Sequence, residues 1–394
     1  MTTTVRTTTL EVYVHDGAEW QYDTTAYAVS CSFGFDQRFA EATVRRTGGG
    51  LIAVNYWSPV EIKLGCTPGA GAATRFKGYV VPVENAVYPI DSVLTCKGVL
   101  YRAQWVRNQT PGGTVLAEPP TGAPDEAQVQ AILTACAVPY TAGNIAGTGK
   151  ALGSEFFDFD NPTVPGPFTW GEGASGLDYI EQLDAVSVPD DASGRFRTFE
   201  TLGGDVFRIP MATAPAATPD FSFTEGVDVL EARLTRDPAG AANRVTVTGA
   251  PTPLGGSVPG VEGLDVYRFT AGTSAAPYLP PGLPNGPDGY PALTATFASP
   301  LIEKALVVDP DVAGDVLSCE AVAAFLLQEH NAVLDTLEFA TPRDDLLGPG
   351  QTIHLHSPRL AVTDPDQHYW LQRLEITLDE RGAFTQKLTC LRRS

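Results

Sequence analysis

Apolar and polar residues alternate along most of this chain. From residue 8 to about 107 the period is two. Leu10-Glu11-Val12-Tyr13-Val14 turns at Asp16-Gly17, Ala28 to Phe35 follows, and Ala42-Thr43-Val44-Arg45-Arg46 runs up to the break at Gly48-Gly49-Gly50. Successive strand residues point to opposite faces, so this period predicts sheets with one buried face. The same texture returns in Val229 to Leu234 and Asn243 to Gly249.

Between these stretches the period changes. Pro111-Gly112-Gly113 and Pro119-Pro120-Thr121-Gly122 read as linker. Behind Asp125, placed to cap a helix, Ala127, Val129, Ile132, Leu133 and Cys136 recur at helical spacing. A second helix, Leu177 to Leu183, follows the glycine-rich Gly171 to Gly176. Arg195 to Glu200 and Asp205 to Ile209 form a hairpin turning on Gly203-Gly204. Pro210 to Pro219 reads as a boundary. A third helix is expected over about 315–334, with Val316, Cys319, Val322, Ala323, Leu326 and Leu327 on one side. The organisation expected is a β domain over 1–109, an α+β insert over 110–219, and a second β domain over 220–394. The last carries a Pro/Gly-rich extended insertion at about 250–300 and the third helix. Loops of that length are commonly functional or contact another chain.

The two β regions share a three-block order. Pro59 to Leu64, Phe76 to Glu84 and Val93-Leu94-Thr95-Cys96 form one set. Pro349 to Leu355, Tyr369 to Glu375 and Lys387-Leu388-Thr389-Cys390 form the other. Three strand-like blocks in one order, with similar loops, point to a repeated antiparallel unit of the kind that builds rings from related barrels. The competing reading is that any two β-meanders look alike at this level.

Gly 39 and Pro 32 stay below the disordered range, and a hydrophobic content of 43% supplies a sizeable core. The net charge is −20, with no Lys/Arg cluster, which argues against binding of a nucleic-acid duplex or an anionic membrane. No apolar stretch is long enough to span a bilayer, and the first residues have no secretory pattern. The cysteines Cys31, Cys66, Cys96, Cys136, Cys319 and Cys390 form no C-x-x-C pair and read as free buried thiols.

Candidate chemistry is thin. Gly171-Glu172-Gly173-Ala174-Ser175-Gly176 matches a dinucleotide fingerprint, but the preceding Pro165 to Trp170 is a poor buried strand. In Gly147-Thr148-Gly149-Lys150 the first glycine of a phosphate loop falls at Asn144, and Ala151 replaces the magnesium-binding hydroxyl. His354 and His356 alternate on one strand with His368 nearby, and whether the three hold a metal stays open. His330 reads as a surface residue. Asp158/Asp160, Asp190/Asp191 and Asp344/Asp345 are acidic pairs, but they sit in Pro/Gly loops where solvated turns are the default. No catalytic, cofactor or metal site is expected, and the chain reads as a non-enzyme.

Four segments carry a resemblance. They are Phe76-Lys77-Gly78-Tyr79-Val80-Val81 ending in Leu94 to Gly98, the helix at Leu177 with its hairpin at Gly194 to Phe199, Asn243 to Gly249, and the ending from Leu347 through Trp370 to Leu388. In these the chain resembles phage tail hub proteins: the baseplate hub of contractile tails and the structural module of siphophage tail-associated proteins. The segment around 250–295 departs from that family. The resemblance implies a mainly β fold, with two tail-tube-like antiparallel β-barrels plus the α+β insert. It implies a homotrimer imitating six-fold symmetry at the tail tip of a virion assembled in the host cytoplasm. Its implied partners are the tail tube or distal tail protein ring, the tape-measure protein, and spike or fibre proteins. DNA would pass through without specific binding, along an acidic wall that repels phosphate. The alternatives are a carbohydrate-binding or host-recognition tail component and, further off, a peptidoglycan hydrolase. Host, tail type, and lumen or interface residues lie beyond the resemblance.

Overall fold

The computed structural model describes residues 8–47, 57–65, 72–85, 91–106, 123–149, 175–187, 196–210, 215–237, 244–253, 266–274, 305–308 and 334–393. The first β region contains β1 (Thr9–His15), β2 (Trp20–Tyr22), β3 (Ala26–Gly34), β4 (Glu41–Thr47), β5 (Pro59–Gly65), β6 (Ala73–Asn85) and β7 (Asp91–Gly98). The helical region holds α1 (Tyr101–Trp105), α2 (Asp125–Ala135), α3 (Gly176–Val186) and the hairpin of β8 (Phe196–Glu200) and β9 (Val206–Pro210). Then come β10 (Phe221–Thr224), β11 (Glu231–Asp237), β12 (Arg244–Pro253), β13 (Val266–Ser274), β14 (Ala305–Val308), β15 (Leu334–Thr341), β16 (Thr352–His356), β17 (His368–Leu378) and β18 (Phe384–Arg393). The mainly β class and the alternating burial match the period-two pattern; in β4, Ala42, Val44 and Arg46 point inward.

The repeat is present, and it extends beyond the three blocks. One unit runs β3-β4-β7-β6-β5, and the other runs β11-β15-β18-β17-β16. All these neighbours are antiparallel. Across β6 and β7, Cys96 faces Val80 and Leu94 faces Val83. Across β17 and β18, Cys390 faces Leu371 and Leu388 faces Leu374. In each long strand three steps cover what two steps cover in the partner, so a β-bulge falls at the same point of both. The approach of the short strand matches too. The Trp57 N–H donates to the Val80 carbonyl (2.9 Å) as the Gly350 N–H donates to that of Leu371 (2.8 Å). Trp57 and Gly350 are both left-handed, with φ of 70° and 89°. Such a duplicated irregularity distinguishes a repeat from two ordinary meanders. The units differ at one flank, where β1 is antiparallel to β5 and β10 is parallel to β16.

The sheet corrects the expectation of two barrels. All these strands join one 13-stranded sheet, which is not closed. The reason lies in strand length. The five residues of β16 pair only with His368 to Trp370, leaving Arg373 to Leu378 of β17 with an open edge that β3 fills. An unfilled edge is a row of unpaired donors and acceptors, so an available strand is drawn to it. Gly34 makes the approach possible, because a Cβ there would lie 3.0 Å from the Gln372 carbonyl oxygen. One apolar core results, running from Val12 and Phe76 to Leu374 and Leu388. Arg75 on β6 reinforces the junction: it is buried, pairs with the Asp344 carboxylate, and donates to the Asp345 carbonyl at 3.1 Å.

The hairpin turn falls where expected, with Gly203 and Gly204 at φ of 86° and 78°. The helical region has its own core of Val99, Leu100, Val129, Leu133, Leu177, Ile180 and Val206. Within and beside the 250–300 segment, β12, β13 and β14 form a separate three-stranded sheet. The third helix lies outside the described residues up to Leu334, which begins β15. Gly350 offers a local test. A Cβ there would meet Ile209 Cδ1 at 3.2 Å and Phe35 Cζ at 3.3 Å, in a left-handed backbone. Gly350→Ala is expected to lower stability by about 1–2 kcal/mol, read by denaturant titration.

Candidate functional site

The features that bear on function are joints and edges. Two buried carboxylate joints fasten the helical region. Glu200, ending β8, sends Oε2 to the Ala40 N–H at 3.0 Å and Oε1 to the Leu100 N–H. Gly98 leaves room for it, since a Cβ there would lie 1.7 Å from Glu200 Oε2. Burial outweighs these two donors and pushes the Glu200 carboxyl up to about 8. Arg208 on β9, fully buried, reaches Asp125 of α2 and Asp184 of α3, each at 2.8 Å, and the Ala146 carbonyl at 2.8 Å. Its guanidinium also lies 4.3 Å from the Phe196 ring centroid. Asp125 is therefore no cap, as its sequence position implied: Pro124 is the N-cap residue, with no side-chain bond, while Asp125 is a ligand of Arg208. Burial pushes the Asp125 pKa up, but Arg208, with hydrogen bonds to Glu126 and Ser187, leaves it below the usual carboxylate range. On the surface, Arg38 spans Asp178 (2.5 Å) and Glu181 (2.6 Å) of α3.

Several strand edges are open among the described residues, and two of them occupy the places in the two units that match the β3–β17 junction. The edge of β11 away from β15 has no partner strand, and neither has the C-terminal part of β6 on its β5 side, beyond Val80. A second exposed feature is aromatic. Trp57 stacks on Tyr101 at 5.5 Å, Trp105 stands edge-on to Trp57 at 6.0 Å, and Trp105 is 54% exposed.

The residues singled out in the sequence fall as follows. His354 and His368 face each other across β16 and β17 with rings edge to face, 5.7 Å between centroids. Nδ1–H of His368 donates to the Ala216 carbonyl at 2.9 Å, while His356 is exposed at the end of β16. Among the described residues, no group of three or more His, Cys, Asp or Glu could hold a metal ion. Asp344 is taken up by Arg75, and Asp345 pairs with Arg343 at 2.8 Å, so this acidic pair is bound in ion pairs. In the loop at Gly147, the Thr148 N–H donates to Asp125 at 2.9 Å and the Gly149 N–H to Glu126 at 3.3 Å. Its donors thus face carboxylates. Of the glycine-rich run, Ser175 and Gly176 are described; Ser175 caps α3 in a capping box with Asp178. Asp158, Asp160, Asp190, Asp191, Lys150, His330, Cys66 and Cys319 lie outside the described residues. Cys31, Cys96, Cys136 and Cys390 are free and buried, their thiols pushed up by burial, Cys136 to about 11. No helix among the described residues is long and apolar enough to cross a membrane. Sequence reasoning missed Arg208, Glu200 and Arg75; a buried arginine has no local sequence signal, and its partners lie far away in the chain.

No protein family matches the chain by sequence, and no curated protein does. Solved structures do match. The tail protein from Neisseria meningitidis MC58 is 9% identical, with a TM-score of 0.58 over 98% of this chain and 96% of that one. The 43 kDa tail protein of prophage MuSo2 from Shewanella oneidensis is 9% identical, with a TM-score of 0.59 over 98% of both chains. The chain has the fold of these two tail proteins across almost its entire length.

Proposed function

We infer that this protein is a structural hub of a phage tail, three copies of which form a ring that joins the tail tube to the tail tip. The observation that carries this is the duplicated unit, with its shared strand order, bulge and left-handed residue. Two like units per chain let three chains present six similar faces, which fits a three-fold tip to a six-fold tube. The likeness to two tail proteins over whole chains supports the same reading. In this reading each unit takes the place of one tube-like barrel, completed in the ring and not within the chain. The ring surrounds the passage for DNA and tape-measure protein and contacts a tube or distal tail ring on one side and spike or fibre proteins on the other. The net charge of −20 suits a wall past which phosphate moves without binding. The role is structural, in the virion, with assembly in the host cytoplasm.

Sedimentation and native mass of the purified chain, with electron microscopy of the particles, test this. A closed particle of three copies with six similar lobes is expected; a stable monomer at all concentrations, or another copy number, rejects the hub. The Trp57–Tyr101–Trp105 cluster, with Trp105 exposed, favours a second reading, a glycan-binding tail component, because such rings stack on sugars. Binding to cell-wall glycans that is lost on Trp105→Ala would support it.

A further inference from the structure

We propose that copies of this chain join by strand addition: the open edge of β11 in one copy pairs antiparallel with Val83 to Asn85 of β6 in the next. This rests on the ring reading above and supplies its contact. The template is inside the chain. In the second unit, the C-terminal half of β17 carries β3, the outermost strand of the first unit. By the register of the repeat, β6 corresponds to β17 and β11 to β3. The equivalent half of β6 is bare on that side, and so is the outer edge of β11, among the described residues. One chain therefore contains a β3–β17 junction already made and the two halves of a second, which are not paired with each other among the described residues. The donor and acceptor edges differ, so the contact is head-to-tail, and it closes into a ring if the rotation between copies permits.

The register follows from the internal junction. There Leu374 faces Phe33 and Glu375 faces Ser32, and the Phe35 N–H donates to the Gln372 carbonyl at 3.0 Å. That bond makes Leu374 with Phe33 a hydrogen-bonded pair and Glu375 with Ser32 a non-hydrogen-bonded one. Carried over, Val83 faces Arg236 with both bonds, Glu84 faces Thr235 without them, and Asn85 faces Leu234 with both. Pro82 falls where Arg373 stands, at a position whose N–H points away from the new edge, so its missing donor is no obstacle. Gly34 has its counterpart in Asp237, so the close approach made by Gly34 is not repeated, and pairing starts at Val83. Exposed edges invite pairing, and these two are complementary in direction and register to each other.

Cysteines at a non-hydrogen-bonded pair sit close enough for a disulfide, with Cα atoms about 4.5 Å apart. The double variant Glu84→Cys with Thr235→Cys, oxidised and run without reductant, is expected to give covalent dimers and trimers that revert with dithiothreitol; each single variant gives neither. Arg236→Pro removes an N–H that points to the open edge and none that serves β15. It is expected to leave a monomer with wild-type circular dichroism. A wild-type ring that survives Arg236→Pro and does not cross-link at 84 and 235 overturns strand addition while the hub reading stands. A wild-type chain that stays monomeric overturns both. If Arg236→Pro fails to fold, the cross-link decides alone.

Discussion

Arg208→Leu unfolds the helical region while the large sheet keeps its structure. The guanidinium is fully buried and is the cation for Asp125 and Asp184, which tie α2 and α3 to the hairpin of β8 and β9. Removing it leaves two carboxylates out of water with no cation, and breaking a buried ion network in this way costs about 3–5 kcal/mol. Few domains have more than 5–15 kcal/mol in total, so a region of this size melts on its own. Hydrogen exchange by peptide is the measurement. Peptides covering 125–135 and 176–186 are expected to lose protection while those of β17 and β18 keep it. Adding Asp125→Asn and Asp184→Asn to Arg208→Leu is expected to restore part of the protection, since amides need no counter-ion and still accept from the Thr148 and Thr198 N–H groups. Equal protection in wild type and Arg208→Leu would mean the network carries no net stability.

Glu200→Ala has the second large effect, and it depends on pH. The substitution strips the Ala40 and Leu100 N–H groups of their acceptors in a buried place, at about 1–3 kcal/mol each. The carboxyl titrates near 4.5 in an unfolded chain and at about 8 when folded. Between those values the folded protein holds a proton that the unfolded one has released. The Glu200 contribution to wild-type stability therefore falls as pH rises from about 4.5 through about 8, by an amount on the order of 5 kcal/mol, and is level outside that window. The alanine variant lacks this slope. Denaturant titrations at pH 5 and pH 8.5 should show a wide gap between the two proteins at the lower pH and a narrow one at the higher. A gap that widens with pH would mean that the two N–H donors, and not burial, govern this group.

What could be read from the chain was whatever is local. The period of two located most of the strands, and Gly203-Gly204 located the hairpin turn, since a tight turn needs left-handed residues. The recurring Leu-Thr-Cys led to two meanders whose registers agree at its leucine and cysteine. What escaped was set at a distance. No local pattern says that β16 is too short to cover β17, so the junction with β3, and with it the single open sheet, was out of reach. Asp344 looked like half of a solvated turn because its partner, Arg75, lies in the other unit. Trp57 is a bulky residue at a left-handed position, which argued for nothing until Gly350 was found in its place in the second unit. The strand Leu334–Thr341 was hidden behind the expected third helix, whose last residue it takes as its first.

The β3–β17 seam also bears on how such chains can evolve. A protein made of two like halves invites the swapping of one half. Here a foreign amino-terminal half must arrive with a glycine that tolerates the close crossing at Gly34 and with a cation to meet Asp344. Chimaeras should therefore fold mainly where both halves come from one parent.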